Sequence, residues 1–125
     1  MVFKHRGMFD FEKLEVYQKI RELNAALIPW ILSKQEAHPY LCDQLKRASL
    51  SALLNLSEGT GRMNSSDKKQ FYIKSRASVF ESVSILQVML DLGIISPADY
   101  EHFYERFEQV SKMMLGMIRN LQPAS

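Results

Sequence analysis

The sequence predicts an all-α protein, an antiparallel up-down-up-down four-helix bundle. Apolar residues recur at steps of three and four in four separate segments. No alternating apolar–polar run survives more than a few residues, so strands are not signalled. Proline, glycine and capping residues punctuate the gaps between the segments. With 125 residues, 46% of them hydrophobic and 24% charged, the chain has the size of one domain and can bury a core. The expected organisation is a flexible N-terminal segment over residues 1–9, the bundle over 10–121, and a frayed C-terminus over 122–125.

The first helix is expected from about Asp10 to Lys34. Val16, Ile20, Leu23, Leu27 and Trp30 follow steps of 4, 3, 4 and 3, which is one apolar helix face. Asp10 is placed as its N-cap, with Lys13 where a full capping box would have Glu. Pro29 lacks an N–H and is expected to kink the helix, which continues to about Ser33. His38-Pro39 opens a second helix, expected to end near Glu58 at Gly59 and Gly61. Asn64, Ser65 and Ser66 supply caps for a third helix, from about Ser66 to Leu92, with Gly93 as its stop. Ser96-Pro97-Ala98-Asp99 combines a cap, a first-turn proline and an early acid, and starts the fourth helix. There Tyr100, Phe103, Phe107, Val110, Met114, Met117 and Leu121 form an unbroken seam over three heptads. Connections of about four to eight residues favour antiparallel neighbours.

No apolar run approaches the roughly 20 residues needed to span a bilayer, and the first seven residues lack a signal peptide's apolar stretch. A single cysteine, Cys42, forms no internal disulfide, which fits a reducing, cytoplasmic location. The formal charge of +2 is too small to signal nucleic-acid binding, but its distribution is uneven. Residues 42–78 hold seven Lys/Arg (Lys46, Arg47, Arg62, Lys68, Lys69, Lys74, Arg76) against three acids, whereas residues 79–125 hold three bases against six acids. Such asymmetry reads either as a weak phosphate-facing patch or as ordinary solvated helix faces.

The second helix carries a polar line beside its core face. Gln44, Arg47, Ser51, Asn55, Glu58 and Arg62 follow spacings of 3, 4, 4, 3 and 4, which keeps them on one side of a helix. Arg47, Asn55 and Glu58 are expected to hydrogen-bond along it, and Glu58 with Arg62 is an i, i+4 ion pair if the helix extends that far. The third helix answers with Ser75, Ser78 and Ser82, next to Phe71 and Met89 and close to Lys74 and Glu81. Serine is a mediocre helix former, so the repeat suggests close backbone approach. Two readings stand open: solvated faces, or a polar seam between these helices or with another subunit. A buried Arg-Asn-Glu line must be almost fully hydrogen-bonded, because unpaired buried charge is costly.

Catalytic and metal-binding patterns are not found. His5, His38 and His102 lack a second ligand at helical spacing, and neither Glu58 nor Glu81 is followed by the Glu-x-x-His partner of di-iron bundles. Cys42 reads as a small buried hydrophobe. Gly59-Thr60-Gly61 ends a helix instead of opening one after a strand, so it is no phosphate loop. The expectation is a protein without enzymatic activity or cofactor.

The polar line also carries a sequence pattern. Gln44-Leu45-x-Arg47-Ala48-Ser49-x-Ser51, continued by Asn55-Leu56-Ser57-Glu58-Gly59-x-Gly61-Arg62, resembles the signature helix of the four-helix-bundle proteins encoded in intervening sequences of bacterial 23S rRNA genes. The family has isoleucine and alanine where Leu56 and Ser57 stand. Phe11-x-x-Leu14-x-Val16-Tyr17-Gln18 is similar to the opening of the family's first helix, with tyrosine for tryptophan. Phe71-Tyr72 with Ser78-x-x-Glu81 is similar to its third, with Ala77 for glycine. The resemblance runs from about Phe9 to Leu121 and implies a homo-oligomeric ring, typically a homopentamer, without known catalysis. It also implies an association with RNA or ribosomes. A related group, the accessory variability proteins of diversity-generating retroelements, uses the same pentamer to bind a reverse transcriptase and nucleic acid.

Two functions follow as expectations. The first is an oligomeric RNA- or nucleic-acid-associated bundle, with Lys46, Arg62, Lys68, Lys69, Lys74 and Arg76 as the binding surface. The alternative is a protein-interaction scaffold, such as an accessory subunit of a retroelement reverse transcriptase. In either case Gln44, Arg47, Ser51, Asn55, Glu58, Arg62, Ser78 and Glu81 are expected to serve packing between helices or subunits.

Overall fold

A computed structural model describes residues 9–121. The expected flexible and frayed ends lie outside the described residues, apart from Phe9, whose ring stacks on Phe11 at 5.6 Å. The described residues form four α-helices: α1 (Glu15–Leu32), α2 (Pro39–Thr60), α3 (Ser65–Asp91) and α4 (Pro97–Asn120), with a short 3-10 turn at Asp10–Lys13. Each helix packs on its sequence neighbour, and α1 closes the square against α4. No helix among the described residues is long and apolar enough to cross a membrane.

The first helix starts later than its periodicity suggests. Asp10 caps nothing: it lies in the 3-10 turn, and extended backbone at Leu14 separates that turn from α1. The incomplete capping box explains this, because no carboxylate returns to close the cap. The helix does continue past Pro29 to Leu32. Pro29 and Ala25 are both exposed, so the carbonyl that loses its i+4 donor lies on the watered side of the helix.

Gly59 is a second correction. It lies inside α2 and is buried, and the helix ends two residues beyond the expected Glu58. A Cβ at Gly59 would sit 2.7 Å from the Phe71 Cβ and 2.9 Å from the Tyr72 ring. Glycine here permits close approach of α3 instead of stopping a helix. Gly93 is the true stop. With φ of 72° it lets its own N–H donate to the Leu90 carbonyl at 3.0 Å and that of Ile94 to Met89 at 2.9 Å. This double bond pattern satisfies the last carbonyls of α3. Asn64 and Ser96 cap α3 and α4, accepting from the backbone N–H groups of Asp67 and Asp99 at 2.8 and 3.0 Å.

The core takes in most of the faces predicted for α1 and α4, with Trp30, Tyr100, Met117 and Leu121 half-buried against it. Val16, Ile20, Leu23 and Leu27 of α1 meet Leu45, Ala52 and Leu56 of α2, with Phe103, Phe107, Val110 and Met114 of α4. Tyr72, Val79, Leu86 and Met89 are the share of α3. Cys42 is fully buried among them, as expected for a small hydrophobe. Buried Asn24 ties α1 to α2 by donating to the Ser49 carbonyl at 3.1 Å.

Candidate nucleic-acid interface

The polar line of α2 divides into a seam and two solvated ends. At its middle, the Ser51 and Ser78 hydroxyls share a hydrogen bond of 2.8 Å. Asn55 donates to both the carbonyl and the hydroxyl of Ser51, at 2.9 and 3.0 Å. Ser75 donates to the Ala52 carbonyl, and Ser82 to the Ser78 carbonyl. Serines suit this position because their small side chains let the backbones approach while their hydroxyls find carbonyls, so little buried polarity is left unpaired. α2 and α3 form the most extensive helix pair of the bundle.

The expected hydrogen-bonded line of Arg47, Asn55 and Glu58 does not form. Arg47 and Asn55 are two turns apart, about 12 Å along the axis, and Asn55 turns to Ser51 instead. Arg47 and Glu81 are exposed and Gln44 half-buried. Among the described residues none of the three makes a side-chain hydrogen bond or ion pair. Glu58 and Arg62 do pair, at 3.2 Å, although the helix itself stops at Thr60.

The basic residues gather at the α2–α3 turn, but not all of them. The Arg62 guanidinium lies 4.5 Å from the Phe71 ring centre and the Lys74 ammonium 5.0 Å from it. Two cations therefore share one aromatic ring, an arrangement each side of which is favourable by about 0.5–1 kcal/mol at exposed sites. Lys68 donates to the Thr60 carbonyl at 2.8 Å, which places a positive charge on the negative end of α2. The Thr60 hydroxyl lies 3.3 Å from the Tyr72 hydroxyl. Lys69 is exposed in the first turns of α3, two residues before Phe71 and so on a different side of the helix.

Lys46 and Arg76 leave this group. Lys46 stands sixteen residues before Arg62, about 24 Å away along the helix, and pairs with Asp43 at 3.3 Å. Arg76 turns towards α4, donating to the Ser111 carbonyl at 3.3 Å and covering the Phe80 ring at 4.7 Å. Near Lys46, hydrogen bonds from Gln35 and Lys46 hold the Asp43 carboxyl below its ordinary range. Burial pushes the Cys42 thiol up, with neighbouring Asp43 adding to the effect and Lys46 and Lys34 opposing it.

Phe71 is the residue at this turn whose contacts spacing alone under-reads. Lys74 stands one turn after it and is visible on a helical wheel. The Arg62 contact crosses a turn between helices, so no periodicity reveals it. Among the described residues no three His, Cys, Asp or Glu side chains converge on one point.

Comparison with known proteins adds a family and a fold. The model of a family described as 23S rRNA-intervening sequence protein matches residues 12–116. The chain is also similar to the crystal structure of a protein with unknown function from the S23 ribosomal protein family of Bacteroides thetaiotaomicron. That likeness has a TM-score of 0.80 at 15% identity, over 84% of this chain and 99% of that one. At such identity it speaks for the helical fold alone. No curated protein matches this chain.

Proposed function

The chain belongs to the 23S rRNA-intervening sequence protein family, and on that premise we propose a non-catalytic, RNA-binding bundle working as a ring of identical subunits. The observation that carries the RNA reading is the pair of cations, Arg62 and Lys74, on the Phe71 ring, with Lys68 at the end of α2 and Lys69 exposed in the first turns of α3. Such a cluster suits a phosphate backbone, because four cations stand about the α2–α3 turn against two acids, Glu58, which pairs with Arg62, and Asp67. In a ring, the clusters of neighbouring copies add, so a monomer charge of +2 understates the field. The helices are read as alternating up and down, supported by the short connections between them. Five subunits per ring and a cytoplasmic location complete the proposal, supported by the family likeness and by the lone Cys42.

A gel shift with a structured RNA at increasing salt tests the binding. Affinity is expected to fall steeply with salt, and Lys69→Ala with Lys74→Ala to weaken it several-fold and flatten the slope by roughly 0.7–0.9 for each phosphate contact removed. Lys68 is a poor choice for this test, since its ammonium also holds the end of α2. Absence of binding at low salt, or binding indifferent to salt, sinks the RNA reading. The second reading, a scaffold for a protein partner, is favoured by the exposed apolar residues of α2 and α3, Leu54 and Phe80 among them. A partner that co-purifies and survives nuclease supports it.

A further inference from the structure

Recognition of single-stranded RNA calls for a free ring or guanidinium plane on which an unstacked base can lie. The basic end of the bundle has none to spare. Phe71 is half-buried, and Arg62 and Lys74 both stand over its ring, 4.5 and 5.0 Å from the centre. A base that stacked there would have to displace a cation. The Arg62 guanidinium is itself engaged by Phe71 and by Glu58 at 3.2 Å. Tyr72 is buried, with its hydroxyl turned to that of Thr60. Met63, in the turn between the helices, is 97% exposed but carries no ring. None of the three exposed rings among the described residues supplies a platform in this cluster. Tyr40 opens α2, about 30 Å from Thr60 along the helix. Phe80 follows Phe71 by nine residues, about 14 Å further along α3, and lies under Arg76 at 4.7 Å. Phe9 stacks on Phe11 at 5.6 Å and is followed by two acids, Asp10 and Glu12.

We propose that this end reads the phosphates of an RNA double helix and not the unstacked bases of a single strand. The proposal rests on the RNA reading above and narrows its ligand. Cations without a stacking platform reward charge density, which is higher along a duplex than along one strand. The counterion released per contact is about 0.9 on double-helical DNA against about 0.7 on single strands. Phe71 is then a positioning residue: its ring holds Arg62 and Lys74 at the surface and touches no base. Phosphate contacts carry no base sequence, so duplexes of unrelated sequence are bound alike.

Fluorescence anisotropy on the full chain at low salt tests this. The probes are a labelled RNA duplex of mixed sequence and an unstructured single strand of the same length that carries 2-aminopurine. The duplex is expected to bind several-fold more tightly, and a second duplex of unrelated sequence to match it. Emission from 2-aminopurine should stay unchanged when the single strand is saturated. Phe71→Leu is expected to weaken both RNAs by the same factor, because it loosens cations that both use. Phe71→Met replaces it if the leucine variant melts early. A chain that binds neither RNA overturns the RNA reading and this inference with it. Three results overturn the inference alone and leave RNA binding standing: a single strand bound as tightly as the duplex, a change in 2-aminopurine emission on binding, or a preference between the two duplexes. A loss in Phe71→Leu confined to the single strand does the same.

Discussion

Two helix pairs in this bundle are built on opposite plans. Between α2 and α3, glycine and serine bring the backbones close: Gly59 leaves no room for a Cβ, and Ser51 and Ser78 bond across the gap at 2.8 Å. Between α1 and α4, large rings hold the helices apart. Trp30 packs on Phe103 with centres 4.8 Å apart and donates to Asp99 at 3.3 Å. Further along, the pair opens into a groove of about 600 Å³ edged by Lys19, Glu22, His102 and Arg106. The tight pair depends on the absence of side-chain volume, the wide pair on its presence. The α2–α3 turn, which carries Arg62, Phe71 and Lys74, therefore sits at the end of the more closely packed pair.

Removing volume should hurt the wide pair most. Trp30→Ala deletes the ring that α4 packs against and is expected to cost about 3 kcal/mol, below the upper range for core aromatics because Trp30 is only half-buried. Urea denaturation followed by circular dichroism measures it; a loss under about 1 kcal/mol would mean that α1 and α4 do not depend on this ring. Adding volume should hurt the tight pair. Gly59→Ala places a methyl against the Phe71 Cβ, and overpacking of this kind costs about 1–3 kcal/mol even after the helix-propensity gain. The same variant should shift Phe71 and so weaken the proposed RNA binding beyond its effect on stability. An RNA affinity equal to wild type at full folding would separate the seam from the basic end.

The seam's hydrogen bonds rank next. Ser78→Ala leaves the Ser51 hydroxyl with Asn55 as its remaining side-chain partner and is expected to cost about 1 kcal/mol. The double variant with Ser51→Ala should cost less than the sum of the two single changes, because removing both partners leaves no unpaired hydroxyl. Strict additivity in the same denaturation experiment would mean that the pair is not coupled.

Much of this contrast was legible in the chain, and the rest was hidden for physical reasons. The core faces of α1 and α4 follow from periodicity, since large apolar residues at steps of three and four have one buried solution. The serines of α3 announced close approach in the same way. Gly59 misled because glycine is read locally as a helix stop, while its role here depends on Phe71 and Tyr72 from another helix. The polar line misled by length: one helical stripe suggests one environment, but α3 covers only its middle at Ser51 and Asn55. Lys46 and Arg76 were grouped with Arg62 by sequence charge density, which ignores the helical rise and the side of the helix that each residue occupies.

The smallest effect compares two glycines in helices of the same bundle. Gly116 lies in α4, is exposed, and a Cβ there would meet nothing within 4 Å. Its only consequence is the backbone freedom that glycine loses when ordered in a helix. Gly116→Ala is therefore expected to stabilise the fold by about 0.5–1 kcal/mol, where the identical change at Gly59 destabilises it. Opposite signs in parallel urea melts isolate the steric role of Gly59 from the intrinsic cost of glycine, because propensity contributes with one sign at both sites. If both variants are more stable than wild type, α3 can move away far enough to relieve the 2.7 Å contact at Phe71, and the tight pair is held by its serine hydrogen bonds more than by its missing side chain.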